Sequence, residues 1–419
     1  MLDRKSPPAF QKSNSFTLIN PQKITLPNGL VVTAVPGGEQ EVVKVEFIFK
    51  AGKWQEKQPG ASYFTSHLLQ NGTATKSSFQ ISSELDQHGV HLEVSPGFDF
   101  TSLSLYGLTK NIERFLELIL EIITKPVFLE LELQQAKDIY IQGLKINLEK
   151  TSFLASRQLR QILFGKDHPY GRETDVKDIE KIQREQLVGF HQENFNDFEI
   201  VCSGEVTDQL TNSLVKVFGN LVLSRNTNQI IEKTGANIHS LYLEKENTVQ
   251  SSIRLGKKII GKTHPDYPIL LLLNHVLGGF FGSRLMKNIR EEKGLTYGIY
   301  SSITALKHDS YLSIGADVDK ENRELTIDEI KNELKALQTQ GISQTELETA
   351  KNHFIGSLQA EITTPFAHAD KIKGMMLYEL PIDFYQTLLS KIEAATESNL
   401  LETAQQYFGE DSFNVVAAG

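Results

Sequence analysis

Hydrophobic and polar positions along this chain change period several times, and the changes mark out two similar series of elements. Near the start, "KITLPNGLVVTAVP" sets Asn28-Gly29 between two apolar runs, which signals a β-hairpin. The β-branched and aromatic run "VVKVEFIFKAG" follows as a strand. Apolar spacing then shifts to three and four residues and predicts helices over 61–70, 78–88, 111–124, 130–150 and 184–195, the third stopped at Lys125-Pro126. The second half repeats the mixture, with strands near 248–256 and 296–303 and helices over 266–277, 283–293, 321–340 and 344–361. Long helices mixed with strands, without strict alternation, predict an α+β fold in both halves.

Self-comparison sharpens this into a duplication. "LELQQAKDIYIQGLKINLE" (131–149) has a counterpart in "SQTELETAKNHFIGSLQAEI" (343–362), so that Ala136-Lys137 falls on Ala350-Lys351, 214 residues on. "IEKIQREQLVGFHQENF" (179–195) matches "IEAATESNLLETAQQYF" (392–408) at an offset of 213. Two regions related by nearly one shift imply a repeat of about 210 residues. The expected organisation is therefore an N-terminal domain over 1–221, a polar linker over 222–240 and a C-terminal domain over 241–419.

Composition fits this picture: 419 residues, 40% hydrophobic and 23% charged, with 43 basic against 52 acidic side chains for a net charge of −9. Such a balance gives no basic footprint for nucleic acid. One cysteine, Cys202, excludes an internal disulfide and a cysteine-based zinc site; in "FEIVCSGEV" it reads as a buried structural thiol. The most apolar runs are broken before membrane-spanning length, and "MLDRKSPPAFQKSNSFTL" has no apolar signal core. A cytoplasmic protein without membrane contact is expected.

Three local patterns suggest chemistry. "GKKIIGKT", Gly256 to Thr263, satisfies the phosphate-loop string, but bulky Lys-Lys-Ile-Ile suits a strand end better than a flexible cradle, so a strand and a turn into the next helix are expected. "HGVH" offers His88 and His91 as two metal ligands, yet stands beside a glycine without an acidic cluster and reads as a turn and strand start. "GASYFTSHLLQNGT", Gly60 to Thr73, carries a single histidine, His67, on a helical stretch.

This last stretch resembles the zinc helix of the pitrilysin and mitochondrial processing peptidase family, G-x-x-H-F-x-E-H-x-x-x-x-G-T. Gly60, Phe64, His67, Gly72 and Thr73 fit. Tyr63 stands in place of the first histidine ligand and Ser66 in place of the catalytic glutamate. The family's third ligand, a glutamate on a later helix, falls at Gly143. A catalytic zinc wants three protein ligands and a base for its water; the resemblance leaves only His67, for which a structural, hydrogen-bonded role is expected. No metal and no cofactor are expected in this chain.

"HPDYPILLLLNHVLGGFFGSRLMKNIREEKGLTYGIYSSI" (264–303) is similar to the family's C-terminal domain. The family's substrate-binding arginine and tyrosine match Arg290 and Tyr297, with Gly294 placed to end the intervening helix. The run Gly278-Gly279-Phe280-Phe281-Gly282 is expected either to touch substrate, through Gly278 and Gly279, or to form a tight turn. "HPYG" (168–171) and "LPNGLVV" extend the match. The resemblance implies two homologous α+β domains, each a mixed sheet covered by helices. It also implies a non-catalytic subunit that pairs with a zinc-bearing homologue, or self-associates, and binds peptides. A scaffold without a role in proteolysis, or a peptidase with rebuilt metal ligands, are the alternatives.

Overall fold

The computed structural model describes residues 16–223, 239–409 and 412–419. Residues 224–238, most of the expected linker, lie outside the described residues. In the first half, β1 (Gln22–Thr25), β2 (Val31–Pro36), β3 (Val42–Phe49), β4 (His91–Pro96), β5 (Thr101–Leu108) and β6 (Phe198–Gly204) form one sheet in the order β1-β2-β6-β3-β5-β4. In the second, β7 (Ser240–Leu243), β8 (Gln250–Lys258), β9 (Thr296–Ala305), β10 (Ser310–Asp319) and β11 (Asn414–Ala418) pair as β7-β11-β8-β10-β9. Each sheet is antiparallel except for one parallel pair, β2 with β6 and β7 with β11. The last five strands of the first order map onto the second one for one, parallel pair included, so the duplication is built into the topology and the sheets are mixed.

The first half adds α1 (Ala61–Leu68), α2 (Ser78–Gln87), α3 (Thr109–Thr124), α4 (Glu130–Leu148), α5 (Thr151–Phe164), α6 (Val176–Lys181), α7 (Arg184–Asn194) and α8 (Asp208–Phe218). The second adds α9 (Tyr267–Asn274), α10 (Arg323–Thr339), α11 (Gln344–Glu361), α12 (Pro365–Leu377), α13 (Phe384–Ala394) and α14 (Glu397–Tyr407). Helices expected from spacing are found at 61–68, 78–87, 109–124, 130–148, 184–194 and 344–361. The expected helix 266–277 is α9 continued by a π-helical turn, His275–Gly279, and the expected helix 283–293 holds a second, Met286–Glu292. That over 321–340 begins as a 3₁₀ turn, Lys320–Asn322. Hydrophobic spacing reports a buried stripe without separating these winding modes.

Each sheet buries one face under helices of its own half, with Phe47, Phe115 and Phe218 in one core and Leu272, Ile314 and Phe408 in the other. The opposite faces are covered by exchange. α5 of the first half lies on β8 and β11, where Ala155, Leu159 and Ile162 meet Val416 and Ala418. α12 of the second half lies on β2 and β6, where Ala369, Ile372 and Met375 meet Val35 and Val201, joined by Ile48 of neighbouring β3. Gly256, first glycine of the phosphate-loop string, is needed here: a Cβ would stand 2.8 Å from the Leu159 side chain. The string itself is the end of β8 and a turn, and Lys262 holds its ammonium 4.0 Å above the Tyr378 ring.

A polar network closes the seam between the halves. Tyr170, from the "HPYG" stretch, donates its phenol to Asp99, whose second oxygen accepts from the Lys307 amide at 3.0 Å. The His308 amide donates to the Tyr170 oxygen at 3.2 Å, and the His308 ring stacks on Trp54 at 4.1 Å. Among the described residues, no helix is long and apolar enough to cross a membrane.

Candidate functional site

The stretch Gly60–Thr73 folds as α1 and the turn after it. Gly60 takes φ 92°, and a Cβ there would approach Ile182 to 2.9 Å, so conformation and packing both require glycine. The first turn of α1 is capped by a buried glutamate: Glu56 accepts from the Ser62 amide at 3.0 Å and its hydroxyl at 2.7 Å, while Arg172 reaches the other carboxylate oxygen at 3.3 Å. This is a favourable place for a negative charge, at the positive end of the helix, although burial raises the Glu56 pKa before these partners lower it.

The positions of the zinc motif are arranged in a way that does not fit a metal. Tyr63 is half-buried against Tyr140, ring centroids 4.6 Å apart, and burial raises its phenol pKa, keeping it neutral and a poor ligand. His67, one turn on, is exposed, and its ring lies parallel to Tyr63 at 5.7 Å and 8°. This ring contact lies along one face of α1. Ser66 is fully buried and turned toward the sheet, its Oγ 2.9 Å from Thr101 Oγ1, which in turn donates to Ala51 O at 2.8 Å. Gly143, one turn past Tyr140 on α4, faces space that a Cβ would leave uncontacted. A single imidazole, a neutral phenol and no base cannot bind and activate a metal-bound water. Among the described residues, no group of three or more His, Cys, Asp or Glu side chains is placed to hold a metal ion.

His88 and Cys202, two of the other early candidates, are engaged structurally. His88 Nδ1 is 2.9 Å from Glu84 O and Nε2 is 2.8 Å from Arg114, while His91 is exposed on β4. Cys202 is buried in β6, its thiol pushed up to about 12 by burial and then by Glu46.

Arg290 and Tyr297 are set in a different manner. Arg290 occupies the last turn of the second π segment, which ends at Gly294 with φ 62° and a Leu295 amide donating to Ile289 O at 2.9 Å. Tyr297 follows on β9, the edge strand of its sheet, and is 95% exposed. The Arg290 guanidinium rests 4.6 Å from the ring of Phe281, itself 60% exposed. Sequence reasoning did not single out Phe281; the signal was an aromatic pair inside a glycine run, where polar turn residues are usual. Of the two glycines before it, Gly278 is buried and Gly279 is exposed. A Cβ on Gly278 would come within 2.6 Å of the Ser301 amide nitrogen, and one on Gly279 within 2.7 Å of His275 Nδ1. Close packing accounts for both glycines.

Two family models match the chain, insulinase (peptidase family M16) over residues 33–169 and the peptidase M16 inactive domain over residues 181–354. The chain is 24% identical over 359 residues to an uncharacterized zinc protease, YmxG, of Bacillus subtilis, covering 84% of this chain and 86% of the relative. It is likewise 24% identical over 376 residues to a non-peptidase homolog, YmxG, of Helicobacter pylori, covering 88% and 83%. A crystal structure of a peptidase M16 inactive domain from Pseudomonas fluorescens superposes with a TM-score of 0.87 at 26% identity, over 96% of this chain and 98% of that one. That of a Helicobacter pylori protease shares the fold, with a TM-score of 0.87 at 19% identity over 96% and 100%. This chain belongs to the M16 peptidase family, as a homologue whose zinc motif has been replaced.

Proposed function

We propose that this M16 homologue is the non-catalytic partner of a zinc-bearing homologous chain, to whose peptide-hydrolysing site it contributes Arg290 and Tyr297. The observation that carries this reading is the contrast within one molecule. Two metal positions and the base position are filled by a stacked phenol, a glycine and a buried hydroxyl, whereas Arg290 and Tyr297 flank the tight helix end at Gly294, with the phenol almost wholly in solvent. A structural tyrosine of that size would bury its ring. A guanidinium and a phenol in this setting suit the carbonyl of an extended peptide and the charge that grows on it during cleavage. Exposed Leu131, Ile139 and Ile146 along α4 support a protein neighbour beside the Tyr63 and Gly143 positions. The catalytic zinc in this scheme belongs to the partner chain.

Reconstitution with a zinc-bearing homologue tests the reading. The complex should cleave unfolded peptides, and Arg290→Ala should lower turnover while zinc content and assembly stay constant. Unchanged turnover in that variant would leave a scaffold role. Cleavage by the isolated chain, lost on His67→Ala, would establish rebuilt ligands instead.

A further inference from the structure

His275 and His353 come from different helical elements and meet nitrogen to nitrogen, Nε2 of the first 3.0 Å from Nδ1 of the second. His275 opens the π turn that continues α9, and His353 stands midway along α11. These elements are the second half's counterparts of α1 and α4: α1 packs on α4 and α7 as α9 packs on α11 and α14. The offset of 214 that carries Lys137 onto Lys351 also carries Ile139 onto His353, Tyr140 onto Phe354 and Gly143 onto Ser357. Where the first half has an aromatic stack, the second has two imidazoles and a hydroxyl, with Ser357 Oγ 3.4 Å from His353 Nδ1.

The two rings are held before any ligand arrives. Phe280 stacks on His275 at 4.8 Å and 11°, and lies 4.7 Å from His353 at 33°. Phe354 meets His275 edge-on, and Gly279 leaves room for its ring. Such preorganisation removes much of the ordering cost of binding. His353 is exposed, so the pair opens to solvent on one side.

Two neutral imidazoles in this contact share one N–H, donated by one ring and accepted by the other. Ligands at 2.0–2.1 Å from a tetrahedral ion are about 3.3 Å apart, so the rings need to separate by only ~0.3 Å. When a cation takes the place of the shared proton, that proton moves through solvent to the other nitrogen of its own ring. Both rings stay neutral, and the ion exchanges two water ligands for two nitrogens. Imidazole selects zinc, copper or nickel over magnesium and calcium.

We infer that His275 and His353 form a binding site for one divalent transition-metal ion of the zinc class, its remaining positions filled by water. With two protein ligands this is an accessory site that ties the Gly278–Gly282 turn, and with it Phe281 beneath Arg290, to α11. It uses none of the residues of the degenerate zinc motif and does not depend on the proposed pairing.

Titration calorimetry with zinc chloride on the full-length, chelator-stripped protein tests the assignment. One saturable equivalent is expected. Outer-shell partners alone are worth about 10–100-fold in metal affinity, so His275→Ala and His353→Ala should each weaken binding by at least about tenfold. His67→Ala should leave it unchanged. His275→Asn, planar and polar, replaces the alanine variant if that fails to fold. Absence of a saturable equivalent, undiminished affinity in the double variant, or loss confined to His67→Ala would each overturn the site.

Discussion

Lys137 and Lys351 make the same bond in the two halves of the molecule. Each ammonium, nearly buried in a long helix, donates at 3.0 Å to a last-turn carbonyl of a later helix, Glu180 O in α6 and Glu393 O in α13. Lys137 adds Ile182 O at 3.0 Å. The bonded pairs are related by offsets of 214 and 213, so the repeat seen in the sequence survives as a repeated contact. A cation is favoured at a helix C-terminus, where unpaired carbonyls gather.

Because these are hydrogen bonds from a charged donor, Lys137→Met and Lys351→Met should each destabilise the protein by about 1.5–3 kcal/mol, the stem packing being kept. Urea unfolding monitored by circular dichroism reads the loss. Lying in separate halves, the two effects should add.

Tyr63→His combined with Gly143→Glu should rebuild a three-ligand set around His67, since Tyr63 already stacks on His67 and Gly143 faces open space. The double variant should bind one zinc equivalent beyond that of the parent protein. It should still not cleave peptides, because Ser66 remains buried against Thr101 and supplies no base. Metal analysis beside a peptide assay separates the two outcomes.

Tyr297→Phe should leave stability within about 0.5 kcal/mol of the parent, as expected for an exposed position. Arg290→Ala should lose no more than the roughly 0.5–1 kcal/mol of an exposed cation–π contact with Phe281. If the pair acts on substrate, the same variants should lower turnover of the reconstituted complex by up to about 10²–10³-fold, the range for a lost oxyanion donor. Melting temperature and turnover measured on one preparation decide whether the loss is functional.

Asp99→Ala should loosen the seam between the halves, since it strands both the Tyr170 phenol and the Lys307 amide. A cost of about 1–3 kcal/mol for each buried group left unpaired is expected. Tyr170→Phe removes the donor to Asp99 and the acceptor for His308, and should cost less because Lys307 still pairs the carboxylate. Limited proteolysis and thermal unfolding report the difference.

Acid should destabilise the fold in a defined window. Burial, with the His353 neighbour, holds His275 at about 4, and burial lowers His191, His308 and His368 below the ordinary value of 6.5. Between those values the unfolded chain binds more protons than the folded one, so stability falls as pH drops below about 6.5. The part due to His275 levels off once pH passes below its folded value. Melting temperatures at pH 7 and pH 5 should differ in this sense, and His275→Gln should reduce the difference.

Local pattern was enough to reveal much of this molecule. The Asn28-Gly29 hairpin, the long amphipathic helices and the Lys137/Lys351 repeat depend on period and spacing, which neighbouring residues impose on one another. The replacement of two ligands by Tyr63 and Gly143 and of the base by Ser66 is legible once the resemblance aligns the motif, since the chemistry of a donor belongs to the residue itself. The tertiary structure alone decided which surfaces meet. Spacing singled out neither α5 nor α12, the two helices that each cover the sheet of the other half. The phosphate-loop string shows its meaning only when Leu159 is seen against Gly256. His275 and His353, 78 positions apart, become neighbours only because α9 and α11 pack together. An amphipathic stripe fixes that a face must be buried, and chain closure over long separations fixes by what.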